Sequence, residues 1–223
     1  MTKPLFLQAI AKLLLGVVLV ALLLFLPAGT WHYWNAWLLL GILFIPMVIA
    51  GIFMMLKSPE LLKKRLNAKE SETEQKTVIA LSGIMFLAAF VTAGLNFRFG
   101  WLILPKAGVI AAAVVFLLSY ALYGEVLREN AYLSRTIEVQ AEQKVIDTGL
   151  YGIVRHPMYT VTLLMFLSMG LVLGSPISFC ILLLYIPIIV KRIRNEEDVL
   201  TEGLQGYADY KRRVKYRLIP FIW

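Results

Sequence analysis

The chain predicts an all-α integral membrane protein, and three observations carry that prediction. Apolar residues make up 60% of its 223 residues, with a mean hydropathy of +0.76, which leaves too little polar surface to cover a soluble domain of this size. The apolar residues gather in runs close to the roughly 20 residues that a helix needs to cross a bilayer core. The charged residues lie between those runs, most of them in three segments.

The first run, residues 4–27, is interrupted by Gln8 and Lys12. Lys3 and Lys12 ahead of an apolar stretch resemble a secretory signal, but Leu26 and Pro27 make a poor small-x-small cleavage site, so a retained helix is expected. Runs at 37–56, 78–95 and 107–123 complete a set of four spanning helices. A fifth apolar region, 158–190, is broken at its middle by Gly174-Ser175-Pro176. Gly and Pro together end one helix and start another, so this region reads as a carboxyl-terminal helical hairpin with two short arms. Its single cysteine, Cys180, permits no intramolecular disulfide and is expected to be a small packing residue. Residues 59–66 form a short amphipathic segment, either a solvated basic helix or one lying along the membrane surface, and 67–76 reads as a solvated loop. No internal repeat is visible, and one membrane domain spans 1–223, with 1–134 as its spanning scaffold.

Charge placement gives an orientation. All 14 acidic residues lie in segments 57–77, 124–157 and 191–223, together with every basic residue except Lys3, Lys12, Arg98 and Lys106. These segments and both termini are expected to be cytoplasmic, which makes the protein multi-pass with its polar regions on one side. Trp31, Tyr33, Trp34 and Trp37 are expected to form an aromatic belt at the opposite interface, with His32 an interfacial residue of no chemical role. The net charge of +8 fits loops that face anionic membrane lipids. It gives no indication of a nucleic-acid partner.

No two glycines stand two or five residues apart, so the chain holds neither a dinucleotide fingerprint nor a P-loop, and a nucleotide-like cofactor must bind another way. The reactive side chains concentrate instead in 149–159, Gly-Leu-Tyr-Gly-Ile-Val-Arg-His-Pro-Met-Tyr, and in 192–197, Arg-Ile-Arg-Asn-Glu-Glu. Pro157 fits the first position of a helix, whose free N–H groups would favour an anionic ligand. Alternatively, Arg155 and Tyr159 are head-group anchors. Arg192 and Glu196, four apart, share a helix face, either as a surface ion pair or as part of a site, with Glu197 pointing elsewhere. The hairpin brings both clusters to one interface, and convergent Arg, His, Tyr and Glu beside lipid is an uncommon arrangement to keep for structure only. Segments 207–214 and 216–221 alternate rings and cations, as a lid or as a basic amphipathic tail would.

Over about residues 135–223 the chain resembles the isoprenylcysteine carboxyl methyltransferase family and the related phospholipid N-methyltransferases. The resemblance rests on G-x-Y-x-x-x-R-H-P-x-Y, R-x-x-x-E-E-x-x-L, Y-x-x-Y and a terminal Pro-Phe-Ile, in that order. One departure is the shorter Leu204-Gln205-Gly206 before Tyr207, where the family usually has Phe-Gly and two further residues. The resemblance implies that 135–223 is the cofactor-binding and catalytic region, with helices and loops on the cytoplasmic side forming a pocket for S-adenosylmethionine. It implies cofactor contacts at Gln143, Lys144, Val145, Ile146, Tyr151, Arg155, His156, Pro157, Met158, Tyr159 and Glu197, with Glu196 holding the amino group. Arg192 would face a substrate carboxylate, Tyr207 and Tyr210 would also meet the substrate, and Arg192 and Glu196 would form the catalytic pair. No metal is implied.

A carboxylate attacking a sulfonium joins opposite charges, which a water-poor site favours, and it needs no general base. An amine acceptor would need one, for which Glu197 or Tyr210 could serve. The expected acceptor is a lipidic small molecule entering from the bilayer, with an isoprenylcysteine-like carboxylate the nearest analogy. Phospholipid N-methylation is an alternative. Two other classes stay open. A sterol-type membrane reductase using NADPH shares an Arg-His-x-x-Tyr block and the ending Arg217-Leu218-Ile219-Pro220, although Pro157 favours the methyltransferase. A non-enzymatic membrane protein would use the charged clusters only as anchors.

Overall fold

A computed structural model describes residues 3–66, 73–133, 139–140 and 142–223. Among these the chain is helical: α1 (Lys3–Ala28), α2 (Trp34–Lys57), α3 (Pro59–Leu66), α4 (Thr73–Phe99), α5 (Lys106–Glu129), a 3-10 turn (Gly149–Gly152), α6 (Pro157–Val172), α7 (Pro176–Leu182), α8 (Tyr185–Gly203) and α9 (Tyr207–Arg213). It is an all-helical, multi-pass integral membrane protein with five segments long and apolar enough to cross a bilayer, namely α1, α2, α4, α5 and the combined stretch Pro176–Gly203. Their outward residues, Leu15, Leu26, Ile49, Ile84 and Leu118 among them, are exposed and apolar. Such a surface is stable in lipid and would aggregate in water.

The hairpin differs from its expected form in the second arm. The first arm, α6, has 16 residues, about 24 Å of helix and short of a bilayer core about 30 Å thick. The second arm breaks at Leu183 and Leu184 into α7 and α8, and α8 continues well past Val190 to Gly203. This extension carries Arg192, Glu196 and Glu197. The turn between α6 and α7 needs its glycines. A Cβ at Gly170 would lie 2.5 Å from the Phe179 nitrogen, and Gly174 has a φ of +71°, in the left-handed region that glycine enters without strain.

Buried polar groups fasten the hairpin to the scaffold. The Tyr33 hydroxyl donates to the Leu173 carbonyl at 2.6 Å, the Asn35 amide to Val172 O at 3.0 Å, and the Ser178 hydroxyl to Ala89 O at 2.9 Å. Tyr33 is therefore a core residue stacked on Phe97 and not part of an aromatic belt. Trp31, Trp34 and Trp37 are exposed as a belt requires, as is His32. Cys180 is also exposed, so it is not the packing residue expected from its place in an apolar hairpin.

The amphipathic segment 59–66 is α3 and docks on the bundle. Its Leu62 is buried, Lys12 of α1 donates to the Leu66 carbonyl at 2.5 Å, and Arg65 lies over the Tyr123 ring. A lysine within an apolar helix thus meets a carbonyl at the end of α3, where a cation also complements the helix dipole. Of the expected loop 67–76, residues 67–72 lie outside the described residues, and α4 begins at Thr73. Packing of α5 along α6, and of α4 against α1, α7 and α8, brings the end of α5, the start of α6 and the polar half of α8 to one end of the bundle.

Candidate active site

Three chain segments converge where α5 ends and α6 begins. Glu129, the last residue of α5, accepts the Leu150 backbone N–H at 3.0 Å. A carboxylate at the start of the 3-10 turn satisfies a donor with no other helical partner. The carboxylate sits so close to Gly149, whose φ is +52°, that an added side chain would displace it. Asn130 then donates from Nδ2 to the Tyr151 hydroxyl at 3.1 Å, and Tyr210 of α9 donates to the Tyr151 carbonyl at 2.7 Å. Tyr151 is held at both ends.

The chain next enters α6 with His156 as N-cap residue and Pro157 in the first turn, as the sequence indicates. The N–H groups of Arg155 and His156 donate to the carbonyls of Tyr216 and Arg217, both at 2.9 Å. Beneath this junction, Glu197 is 1% exposed. It accepts Arg155 Nε at 2.7 Å and Arg217 Nε at 3.1 Å, with His156 Nε2 at 3.2 Å and Lys211 Nζ at 3.7 Å. Arg155 also donates to the carbonyls of Val214 and Lys215. One carboxylate thereby clasps α6, α8, α9 and the carboxyl-terminal segment. Glu197, expected from the resemblance as a cofactor contact, lies behind the cleft wall and not on it, as does Pro157. The i, i+4 rhythm explains the separation: Tyr185, Ile189, Ile193 and Glu197 form the buried stripe of α8, while Arg192, Glu196 and Leu200 form the neighbouring stripe.

That second stripe lines a cleft of about 820 Å³, its open mouth included. Every other residue expected at the site also lines it: Gln143, Lys144, Val145, Ile146, Tyr151, Arg155, His156, Met158, Tyr159, Tyr207 and Tyr210. Arg192 and Glu196 meet through Tyr159. Arg192 Nε donates to the Tyr159 hydroxyl at 2.9 Å, and that hydroxyl donates to Glu196 Oε2. The guanidinium also lies over the Tyr159 ring, whose other neighbour is the stacked His156 imidazole. The aromatic α9 segment is a wall of the cleft, not a free tail. Sequence reasoning missed Asn130, Tyr132 and Leu133 from the end of α5, and Leu200 and Leu204. Leu200 closes the R-x-x-x-E-E-x-x-L motif and was available as a signal; Asn130 and Tyr132 belong to no motif.

Burial pushes the phenols of Tyr151, Tyr207 and Tyr210 above their ordinary range, so they remain neutral near pH 7. The Tyr207 hydroxyl is fully buried with no partner among the described residues, a state that costs about 1–3 kcal/mol unless a ligand supplies one. The wall as a whole suits S-adenosylmethionine: a carboxylate for an ammonium group, aromatic faces for a sulfonium, and a phenol awaiting a polar partner.

Residues 101–205 match the family model for phospholipid methyltransferase, PEMT. Over 96% of its length the chain also superposes on the solved eukaryotic intramembrane Ras methyltransferase, isoprenylcysteine carboxyl methyltransferase (ICMT), covering 77% of that chain with a TM-score of 0.57 and 19% identity. The family model covers 105 of the 223 residues, just under half of the chain, and the likeness to the solved structure shows a shared fold. The chain also resembles the Delta(14)-sterol reductase TM7SF2 of Mus musculus, at 30% identity over 91 residues, 40% of this chain and 22% of the reductase. It thus aligns with about a fifth of that relative's length.

Proposed function

We propose that the protein is an S-adenosylmethionine-dependent methyltransferase acting on a lipidic acceptor, with carboxyl O-methylation of an isoprenylcysteine-like substrate the best-supported reaction. The observation that carries this reading is the Arg192–Tyr159–Glu196 relay on one wall of a cleft built from the R-H-P-x-Y, R-x-x-x-E-E and Y-x-x-Y segments.

When bound, S-adenosylmethionine supplies an electrophilic methyl group on a sulfonium. Glu196 would hold its amino group, while His156, Met158, Tyr159 and the segment of residues 143–146 would enclose the rest. Arg192 would orient the acceptor carboxylate, and fixed orientation is itself a large part of such a rate enhancement. Among the described residues of the cleft, Glu196 is the one carboxylate, and it already accepts from Tyr159. Glu197 is occupied by cations. Neither is placed to take a proton from an amine, which favours a carboxylate nucleophile over phospholipid N-methylation. We further place the cleft and both termini on the cytoplasmic side, and have the acceptor enter from the bilayer, because the cleft opens at the end of the bundle where the charged segments gather.

A second reading, an NADPH-dependent sterol-type reductase, is favoured by the match to the Delta(14)-sterol reductase. Titration of detergent-purified protein separates the two. Saturable S-adenosylmethionine binding, weakened by Glu196→Ala and His156→Ala, supports the methyltransferase. Binding of NADPH alone favours the reductase, and binding of neither by folded protein leaves the anchor reading.

A further inference from the structure

Asn130 is the residue that follows α5, and its side chain is committed on both sides. Its Oδ1 accepts the Tyr132 backbone N–H at 3.0 Å, and its Nδ2 donates to the Tyr151 hydroxyl at 3.1 Å. A backbone N–H can only donate, so the first bond fixes which end of the amide is oxygen and makes the second a donation into the phenol. The Tyr151 oxygen is therefore engaged as an acceptor. Its own hydrogen has no acceptor among the described residues, while the residue lines the cleft.

We propose that Asn130 is a positioning residue which makes Tyr151 a directed donor, so that the Tyr151 O–H donates to an acceptor atom of bound S-adenosylmethionine. This rests on the proposed cofactor. It adds a residue outside the family motifs and a polarity to the contact: a ligand that presents only a donor to Tyr151 would oppose the Asn130-fixed hydroxyl. The Tyr210 bond to the Tyr151 carbonyl holds the backbone of the same residue in place.

Asn130→Asp tests this with little change of shape. The aspartate keeps an acceptor for the Tyr132 N–H but turns the other arm into an acceptor, which would recruit the Tyr151 hydrogen away from the ligand. S-adenosylmethionine affinity, measured by titration calorimetry on the full chain, should fall about five- to tenfold, the worth of one ordinary hydrogen bond. Tyr151→Phe should fall by a similar factor, and the double variant should bind no more weakly than Tyr151→Phe alone. Loss in Asn130→Asp that persists undiminished in the Tyr151→Phe background is a merely structural effect and overturns the proposal, as does an unchanged affinity. If Asn130→Asp does not fold, Asn130→Ala carries the same cycle under the same criterion of additivity. A parent protein that binds no S-adenosylmethionine fails the proposed function itself and removes this inference with it; failure of the cycle alone leaves that function standing.

Discussion

The Arg192 Nε group donates to the Tyr159 hydroxyl at 2.9 Å although the two residues lie 33 positions apart, on α8 and α6. The same hydroxyl donates to Glu196, so a phenol separates the cation from the carboxylate one turn away. The phenol holds the guanidinium and the carboxylate in position on one wall of the cleft.

Tyr159→Phe removes that hydroxyl without emptying the aromatic volume. Hydrogen bonds to charged groups are worth about 1.5–3 kcal/mol, so the unfolding temperature should drop, and S-adenosylmethionine affinity or turnover should fall by about tenfold or more as Arg192 and Glu196 lose their shared partner. Calorimetric titration together with thermal unfolding in detergent checks both halves.

The adjacent carboxylates should respond in opposite ways. Glu197→Ala leaves Arg155, Arg217 and His156 without their shared partner, and breaking a buried pair from one side costs about 3–5 kcal/mol. Its unfolding temperature should drop steeply. Glu196→Ala should keep the parent's unfolding temperature and lose cofactor binding. The same stability loss in both variants would contradict the division of α8 into a clasp stripe and a cleft stripe.

Gly149→Ala should destabilise the protein through two effects at once. The backbone there is left-handed, a strain of about 1–3 kcal/mol for a residue with a side chain, and the Glu129 carboxylate occupies the space of the new methyl group. Displacing Glu129 uncaps Leu150 and shifts Tyr151, so cofactor affinity should fall alongside stability. Glu129→Ala should reproduce the affinity loss without the backbone strain.

Arg192→Lys keeps the charge but gives up the planar fork that meets a carboxylate at two points. With Arg192 orienting the acceptor, kcat should fall about tenfold or more while S-adenosylmethionine affinity changes little, a split that steady-state kinetics and a separate binding titration resolve.

The spans were legible because a bilayer imposes length and apolarity on every crossing helix, and the break at Gly174-Ser175-Pro176 marked the hairpin turn for the same local reasons. Arg192 and Glu196 were legible as one helix face from their spacing. The Tyr159 link was not, because i, i+4 arithmetic says nothing about which side chain from another helix comes between them. That Glu197 points away from that face was legible too, since one step along a helix turns the side chain by about 100°, but its burial among Arg155, His156 and Arg217 was not. Tyr33 sits among interfacial tryptophans and carries the same composition signal, yet its hydroxyl reaches carbonyls of α4 and of the α6–α7 turn, a pairing no local pattern encodes. Glu129 and Asn130 are polar residues at the end of a span, where solvated charge is the ordinary expectation, and only the fold places them against residues 149–151.

Carboxyl methylation is tested most directly by supplying methyl-labelled S-adenosylmethionine and an isoprenylcysteine carboxylate to the purified protein in lipid, beside Glu196→Ala. Label should pass to the organic-soluble acceptor as a methyl ester, released as methanol by mild base, and the variant should transfer none. Folded parent protein that binds S-adenosylmethionine but leaves this acceptor unlabelled, or labels lipid in a base-stable form, would contradict carboxyl methylation.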